Sequence, residues 1–290
     1  MDKKIKTARL SIFSNIFLIM IKIAAGILSG SVSILSEAIH SGIDLIASAI
    51  AFFAVKISSK EPDKKHPFGH GKFENVSGVI EGLLIFVAAF WIIYEAVHKM
   101  IHPHTVSLFH LAAAVMFLSA IVNFFISRQL YKVAEETDSI ALKADALHLK
   151  TDVYSSLGVG MGMVVIWLSG WHILDPIFAI IVALFIMRES FDLVKDAFSP
   201  LLDSQLSEDD YQSLFEDLSR ETQSKQVRFK NLRSRKSGSM RIIDFILIVK
   251  PMMSVLESHD ICDYLEGKIK SKYREADISI HVEPETASTD

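Results

Sequence analysis

The sequence predicts an α-helical polytopic membrane protein with six transmembrane helices, followed by a small cytoplasmic α+β domain. Half of the 290 residues are hydrophobic, and the mean hydropathy is +0.34. Apolar runs of the roughly 20 residues that a helix needs to cross a bilayer recur through residues 1–198. That region carries 17 Lys/Arg and 17 Asp/Glu, whereas residues 199–290 carry 13 and 17 in less than half the length. This uneven charge predicts a membrane domain over 1–198 and a water-facing domain over 199–290.

The apolar runs also predict how the chain crosses the membrane. An even number of spans puts both termini on one side. Lys and Arg residues concentrate before the first span and in the 2–3 and 4–5 connections, and the other three connections hold only Lys99. The positive-inside rule therefore predicts a multi-pass protein of the cell (plasma) membrane with cytoplasmic N- and C-termini. The six predicted spans lie near 8–29, 32–57, 76–97, 108–130, 142–168 and 173–195.

Five further elements are predicted after residue 199. Ser207 is a suitable N-cap, and three acidic residues follow it in the first turn of a helix. A Ser237-Gly238 turn joins two segments with strand composition. The order α-β-β-α-β indicates a small α+β domain. The predicted elements are a helix over 207–219, strands over 227–235 and 240–250, a helix over 254–273 and a strand over 277–283.

Charge and cysteine content exclude several classes of protein. A net charge of -4 excludes a strongly basic nucleic-acid binder, so we expect no nucleic-acid partner. The single cysteine, Cys262, excludes an internal disulfide framework and a cysteine-based zinc ribbon. Any metal ion must therefore be held by histidine and carboxylate.

Two His-x-x-x-Asp pairs stand inside predicted spans, where a carboxylate costs a few kcal/mol or more. His40 and Asp44 lie in span 2, and His148 and Asp152 repeat the spacing in span 5. Residues four apart share a helical face, so two imidazole nitrogens and two carboxylate oxygens can converge. Four such ligands suit tetrahedral Zn²⁺, and the absence of sulfur disfavours Cu(I). The alternative is two unrelated polar pairs, snorkelling or hydrogen-bonded between helices.

The connection between spans 2 and 3 holds a second cluster of ligand types. Asp63, His66 and His70 fall within eight residues, and Pro67 and Gly69 shape the turn. Three nitrogen and oxygen ligands could hold a zinc ion in an open site. A solvated loop whose histidines bind nothing is an equally good interpretation of the spacing alone.

Three segments together resemble the cation diffusion facilitator family: SEAIHSGIDLIAS, HPFGHGKFE and ADALHLKTDVYSS. The resemblance covers nearly the whole chain. It implies a homodimeric divalent metal/proton antiporter in the lipid bilayer, with six transmembrane helices and a cytoplasmic ferredoxin-like domain. It also implies that the His40, Asp44, His148 and Asp152 quartet is the transport site. The two histidines favour Zn²⁺, with cobalt or cadmium as further substrates, and leave iron and manganese open.

The resemblance implies three further features. Asp63, His66 and His70 match a metal site of the family's bacterial exporters. Lys72 matches one partner of a salt bridge between the membrane and cytoplasmic domains, and Asp203 matches the other by approximate register. The resemblance also implies that the cytoplasmic domain dimerises and senses metal. Two positions at which the family's cytoplasmic metal site uses histidine are Lys230 and Ile246 here. A reduced metal site would comprise Asp244, His259, His281 and Glu283, and ordinary surface histidines are the alternative.

Two other classes of protein remain as alternatives to a transporter. An intramembrane zinc hydrolase needs a water-activating base and commonly an HExxH-like motif, and the sequence has none, so we expect no enzyme. A membrane-anchored metal sensor without flux would explain the loop and tail clusters but not the four ionisable residues in spans 2 and 5. Glu81, in span 3, faces either a cavity or a neighbouring helix.

Overall fold

The computed structural model describes residues 3–29, 32–101, 109–169, 174–273 and 275–285. The chain divides into two compact units, Met1–Phe198 and Ser199–Asp290, and each is described by itself.

The first unit consists of long α-helices. Each has at least 25 residues, which gives it a length of about 37 Å or more, against about 30 Å for the hydrocarbon core of a bilayer. Within the described residues, two helical segments are both long and apolar enough to cross a membrane, Lys3–Ala25 and Lys72–His98. This is a test of length and composition, and the crossing of all six helices stays a prediction. The helices are α1 (Lys3–Ser29), α2 (Val32–Ser58), α3 (Lys72–Ile101), α4 (Phe109–Thr137), α5 (Ile140–Ser169) and α6 (Leu174–Phe198).

Small residues let α3 lie close against α6. A Cβ atom on Gly82 would lie 2.5 Å from Val194 Cγ2, and one on Gly78 would lie 3.0 Å from Ala197 Cβ. The Ser190 hydroxyl donates a hydrogen bond to the Gly82 carbonyl at 2.5 Å. Gly78 and Gly82 are four apart, which is the spacing of small residues at close helix contacts in membranes.

The second unit is a three-stranded mixed sheet with two helices. The strand order is β1-β2-β3, with β1 and β2 antiparallel and β2 and β3 parallel. The predicted order α-β-β-α-β is the observed order, although α7 continues five residues beyond the predicted end. The elements are α7 (Glu208–Ser224), β1 (Arg228–Ser237), β2 (Met240–Val249), α8 (Val255–Lys272) and β3 (Ala276–Pro284).

Side chains from both helices and from the sheet form the core of this unit. Leu214 and Leu218 of α7 and Leu265 of α8 are buried against Ile243 and Leu247 of β2. Both helices begin at a serine N-cap, and Ser254 forms a reciprocal capping box with Glu257. Along β3, exposed residues alternate with half-buried ones through Val282. The sheet therefore has one face toward the helices and one toward solvent.

Candidate functional site

Three of the four predicted quartet residues converge between α2 and α5. Asp44, His148 and Asp152 each offer a ligand atom, and these atoms all lie within 4.8 Å of one another. His148 Nε2 and Asp44 Oδ1 are 3.1 Å apart. Ligands at about 2.1 Å from a tetrahedral ion are roughly 3.4 Å apart, so the observed separations suit one ion.

The fourth predicted residue, His40, lies on α2 one turn before Asp44. Its side chain lies outside the part of the chain that the structure describes. The helical spacing puts positions 40 and 44 on the same face of α2, and its role as a ligand stays a prediction.

Two of the three converged residues are buried, and the third is half-buried. Asp44 and His148 are 6% and 7% exposed, and Asp152 is half-buried. The Asn123 amide on α4 donates to Asp152 Oδ2 at 3.5 Å, so a third helix contacts the cluster. A buried site with two carboxylates close together favours a cation, because uncompensated negative charge is costly there.

The loop after α2 brings Asp63, His66 and His70 together as a second group within 4.8 Å. Asp63 Oδ1 lies 3.4 Å from His66 Nδ1, and Asp63 Oδ2 lies 3.4 Å from His70 Nε2. Gly69 adopts a φ of 83°, which lets the chain turn between the two histidines. The backbone N–H groups of His66 and Lys65 donate to Asp63, and these bonds lower the pKa of its carboxyl. The carboxylate is therefore held ionised, as a metal ligand must be.

His70 differs from the other two loop residues in its burial. It is 7% exposed, and within the described residues its Nδ1 atom has no hydrogen-bond partner. Asp63 and His66 are exposed. The group of three residues is therefore buried on the side of His70 and open to water on the side of Asp63 and His66.

A buried chain of hydrogen bonds that ends at Asp145 of α5 was not predicted from the sequence. Ser48 Oγ of α2 donates to Asp145 Oδ1 at 2.7 Å, and Asn15 of α1 donates to Ser48 Oγ at 2.8 Å. Asp145 is fully buried. Its position three residues before His148 is the signal that could have found it, since i and i+3 share a helical face.

A second buried carboxylate, Glu74, was also missed. Glu74 Oε1 accepts from Lys4 of α1 at 3.2 Å and from Ser58 at the end of α2 at 2.7 Å, and Oε2 accepts from the Ser139 hydroxyl before α5. Glu74 lies four residues after His70 and is 1% exposed. It connects the ends of four helices beside the metal loop.

Of the residues predicted for a tail metal site, His259 lies on α8, and the other three lie on the adjacent strands β2 and β3. His259 is on α8, where Nε2 lies 3.7 Å from Asp263. His281 lies on the exposed side of β3, 3.6 Å from Glu283. Lys230 binds Glu283 at 2.8 Å and lowers its pKa. Among the described residues of one chain, the four predicted ligands form no single group, and a site there stays a prediction.

Asp244, Asp203 and Lys72 can each be placed individually. Asp244 lies on β2 opposite Arg233, in an open pocket of about 530 Å³ that also contacts His281. Asp203 accepts a hydrogen bond from Arg235 at 2.9 Å within the second unit. Lys72 is the first residue of α3. The Lys72–Asp203 salt bridge remains a prediction.

Two family models match the chain. The cation efflux transmembrane domain matches residues 8–202, and the cytoplasmic domain of cation efflux proteins matches residues 206–285. Together they cover almost the whole sequence.

Named relatives match over nearly their full lengths. An uncharacterized transporter of Synechocystis is 33% identical over 283 residues, covering 96% of this chain and 89% of the relative. The cation-efflux pump FieF of Shewanella oneidensis is 28% identical, covering 96% and 93%. The manganese efflux system protein MneP of Bacillus subtilis is 27% identical, covering 96% and 95%. These relatives are transporters rather than enzymes, and with both domain models matched, the chain belongs to the cation diffusion facilitator family of cation efflux transporters.

Proposed function

We propose that this protein is a divalent metal/proton antiporter that exports Zn²⁺ from the cytoplasm. The observation that carries the proposal is the convergence of Asp44, His148 and Asp152 at a buried point between two helices. Family membership supports cation efflux, and the donor set supports the choice of metal. His40 would complete a tetrahedral set of two nitrogens and two oxygens.

The metal follows from the ligand chemistry. Imidazole suits zinc, iron and nickel, whereas sites made of carboxylate, carbonyl and water suit manganese. A manganese efflux protein is among the relatives, so Mn²⁺ is the second candidate. Cobalt, cadmium and iron are further candidates for the same site. Of the two leading candidates, Zn²⁺ is favoured over Mn²⁺ by a cluster that contains one or two histidines.

Proton coupling follows from the need of each ligand to be deprotonated. Metal binding from the cytoplasm displaces protons from the ligands. When the site faces outward, protons compete with the metal for the imidazole of His148, and a protonated imidazole cannot ligate a metal. The metal is released outside, and the protonated site returns inward. The same groups thus bind metal and proton in alternation, which couples the two fluxes.

The topology and assembly belong to the same proposal. All six helices α1–α6 span the plasma membrane, with both termini in the cytoplasm. The second unit, matched by the family's cytoplasmic domain, would join two chains as a homodimer. Zn²⁺ bound at His259, His281 and Glu283 of the two chains would bias the conformation of the membrane domains. A metal sensor without flux is the competing function.

Flux through purified, reconstituted protein tests the proposal. Asp44→Asn and Asp152→Asn should each abolish saturable Zn²⁺ uptake into proteoliposomes. Asp192→Asn changes an exposed carboxylate of α6 and should leave uptake unchanged. Full uptake by both site variants would refute the site, and a wild-type protein that binds Zn²⁺ but transports none would favour the sensor.

A further inference from the structure

Two fully buried carboxylates, Glu81 of α3 and Asp145 of α5, lie near the quartet but are not among its members. Both are 0% exposed. They interact electrostatically with each other, and each also interacts with His148. Each has one oxygen, Glu81 Oε2 or Asp145 Oδ2, that is buried and has no hydrogen-bond partner within the described residues.

The two orphan oxygens are difficult to reconcile with two ionised carboxylates. An ionised carboxylate only accepts hydrogen bonds, so neither orphan oxygen can satisfy the other. Two like charges buried in one region also repel, and one of them is normally neutralised by a proton. A proton converts one of the orphan acceptors into a donor and removes one of the two charges.

The hydrogen bonds indicate which carboxylate holds the proton. Asp145 accepts a hydrogen bond from the Ser48 hydroxyl. The Ser48 oxygen accepts a hydrogen bond from the Asn15 amide at 2.8 Å and lies 3.1 Å from the Ser11 hydroxyl oxygen. This chain of donors stabilises an ionised Asp145. Among the described residues, Glu81 accepts a hydrogen bond only from the hydroxyl of Ser77, one turn earlier on its own helix, at 2.7 Å. Glu81 is therefore the less stabilised anion.

The described groups that act electrostatically on Glu81 lie on a neighbouring helix. On α5 its electrostatic partners are Asp145 and His148, and Asp44 of α2 binds His148 at 3.1 Å. On α6, which packs against α3, Glu189 lies 3.6 Å from Lys150. Among the described groups, His148 interacts favourably with an ionised Glu81 when its imidazole is protonated, and His148 is also a proposed metal ligand.

We propose that Glu81 is a proton-binding site of the transport cycle, separate from the metal ligands. The inference rests on the proposed antiport. A divalent ion at the quartet adds positive charge near His148, which favours ionised Glu81, and its proton leaves to water. After the metal departs outside, a proton from that side returns to Glu81. The protein would thus exchange a proton at a residue that never touches the metal.

Proton release on metal binding tests this assignment in the purified full-length protein. Calorimetric titration with Zn²⁺ in buffers of different ionisation enthalpy counts the protons released per ion bound. Glu81→Gln resembles the protonated side chain in shape, so we expect it to bind Zn²⁺ and to release about one proton fewer per chain than wild type. Glu81→Asp should restore the release. Glu95→Gln, at an exposed position of the same helix, should match wild type.

The outcomes separate this inference from the proposed function. If the wild type releases no protons on binding Zn²⁺, the antiport proposal fails. If the wild type releases protons and Glu81→Gln releases the same number, only the assignment to Glu81 is overturned. Loss of Zn²⁺ binding in both Glu81→Gln and Glu81→Asp would show a structural role and would also overturn it.

Discussion

Replacing Glu74 by alanine should destabilise the first unit more than any exposed charge change. The Glu74 carboxylate is 1% exposed and accepts from Lys4, Ser58 and Ser139, which belong to or adjoin three other helices. Truncation leaves the Lys4 ammonium, whose side chain is 11% exposed, without this carboxylate and deprives two hydroxyls of their acceptor.

The magnitude follows from the cost of breaking a buried ion pair. Removing one partner of such a pair costs about 3–5 kcal/mol, because the interaction that offsets the desolvation of the other charge is lost. The two hydroxyl bonds add to this, but the partial exposure of Lys4 offsets part of the cost, so we keep the range of about 3–5 kcal/mol. At 2–4 °C per kcal/mol, the expected fall in melting temperature is roughly 6–20 °C. Glu74→Gln keeps one acceptor oxygen, so only Ser58 or Ser139 retains its acceptor, and it should cost less than Glu74→Ala, about 1–3 kcal/mol.

Thermal unfolding of the purified protein in lipid-supplemented detergent measures the effect. The matched control is Glu136→Ala, which removes the exposed pair that Glu136 forms with Lys3 and should leave the melting temperature unchanged. If Glu74→Ala has the same melting temperature as Glu136→Ala and the wild type, Glu74 does not connect the helix ends as described.

Three further predictions concern helix packing, capping and the metal loop. Gly82→Ala places a methyl group 2.5 Å from Val194 and should cost about 1–3 kcal/mol by overpacking; an unchanged melting temperature would contradict the close α3–α6 contact. Ser254→Ala removes the N-cap of α8 and should cost about 1 kcal/mol in urea unfolding of the second unit, and no cost would contradict the capping box. The lowered pKa of Asp63 keeps its carboxylate ionised in mild acid, and it protonates only below its ordinary range. Protonation of Asp63 should therefore not limit loop binding of Zn²⁺ in mild acid. Asp63→Asn removes a charged ligand and should weaken binding, as calorimetry would measure, and an unchanged affinity would contradict the loop site.

The convergence of three of the four quartet residues could be predicted from the sequence, because residues four apart on a helix share a face and buried charge is costly. Asp44 stands four residues after His40, and Asp152 stands four residues after His148, each inside an apolar segment where a carboxylate is costly. The order of elements in the second unit could also be predicted from local patterns, namely the alternation of apolar and polar residues along the strands and the residues of the turns. The longer α7 shows the usual uncertainty at helix ends.

What the sequence could not predict depends on contacts between distant segments. Glu74 reads as an ordinary first-turn acid, and its burial depends on Ser139, 65 residues away. Asp145 bonds Ser48 across 97 residues. In the second unit, His259 and His281 lie on a helix and on the exposed side of a strand, and no local pattern gives their separation in space. Such pairings are set by tertiary packing rather than by periodicity.

Simultaneous recording of metal and proton movement tests the central claim most directly. Wild-type protein in sealed proteoliposomes, loaded with a zinc-sensitive dye and a pH-sensitive dye, should take up Zn²⁺ while protons leave, and a collapsed proton gradient should slow the uptake. Asp44→Asn should abolish both signals together. Zn²⁺ uptake that proceeds without proton movement and without dependence on the gradient would contradict the antiport.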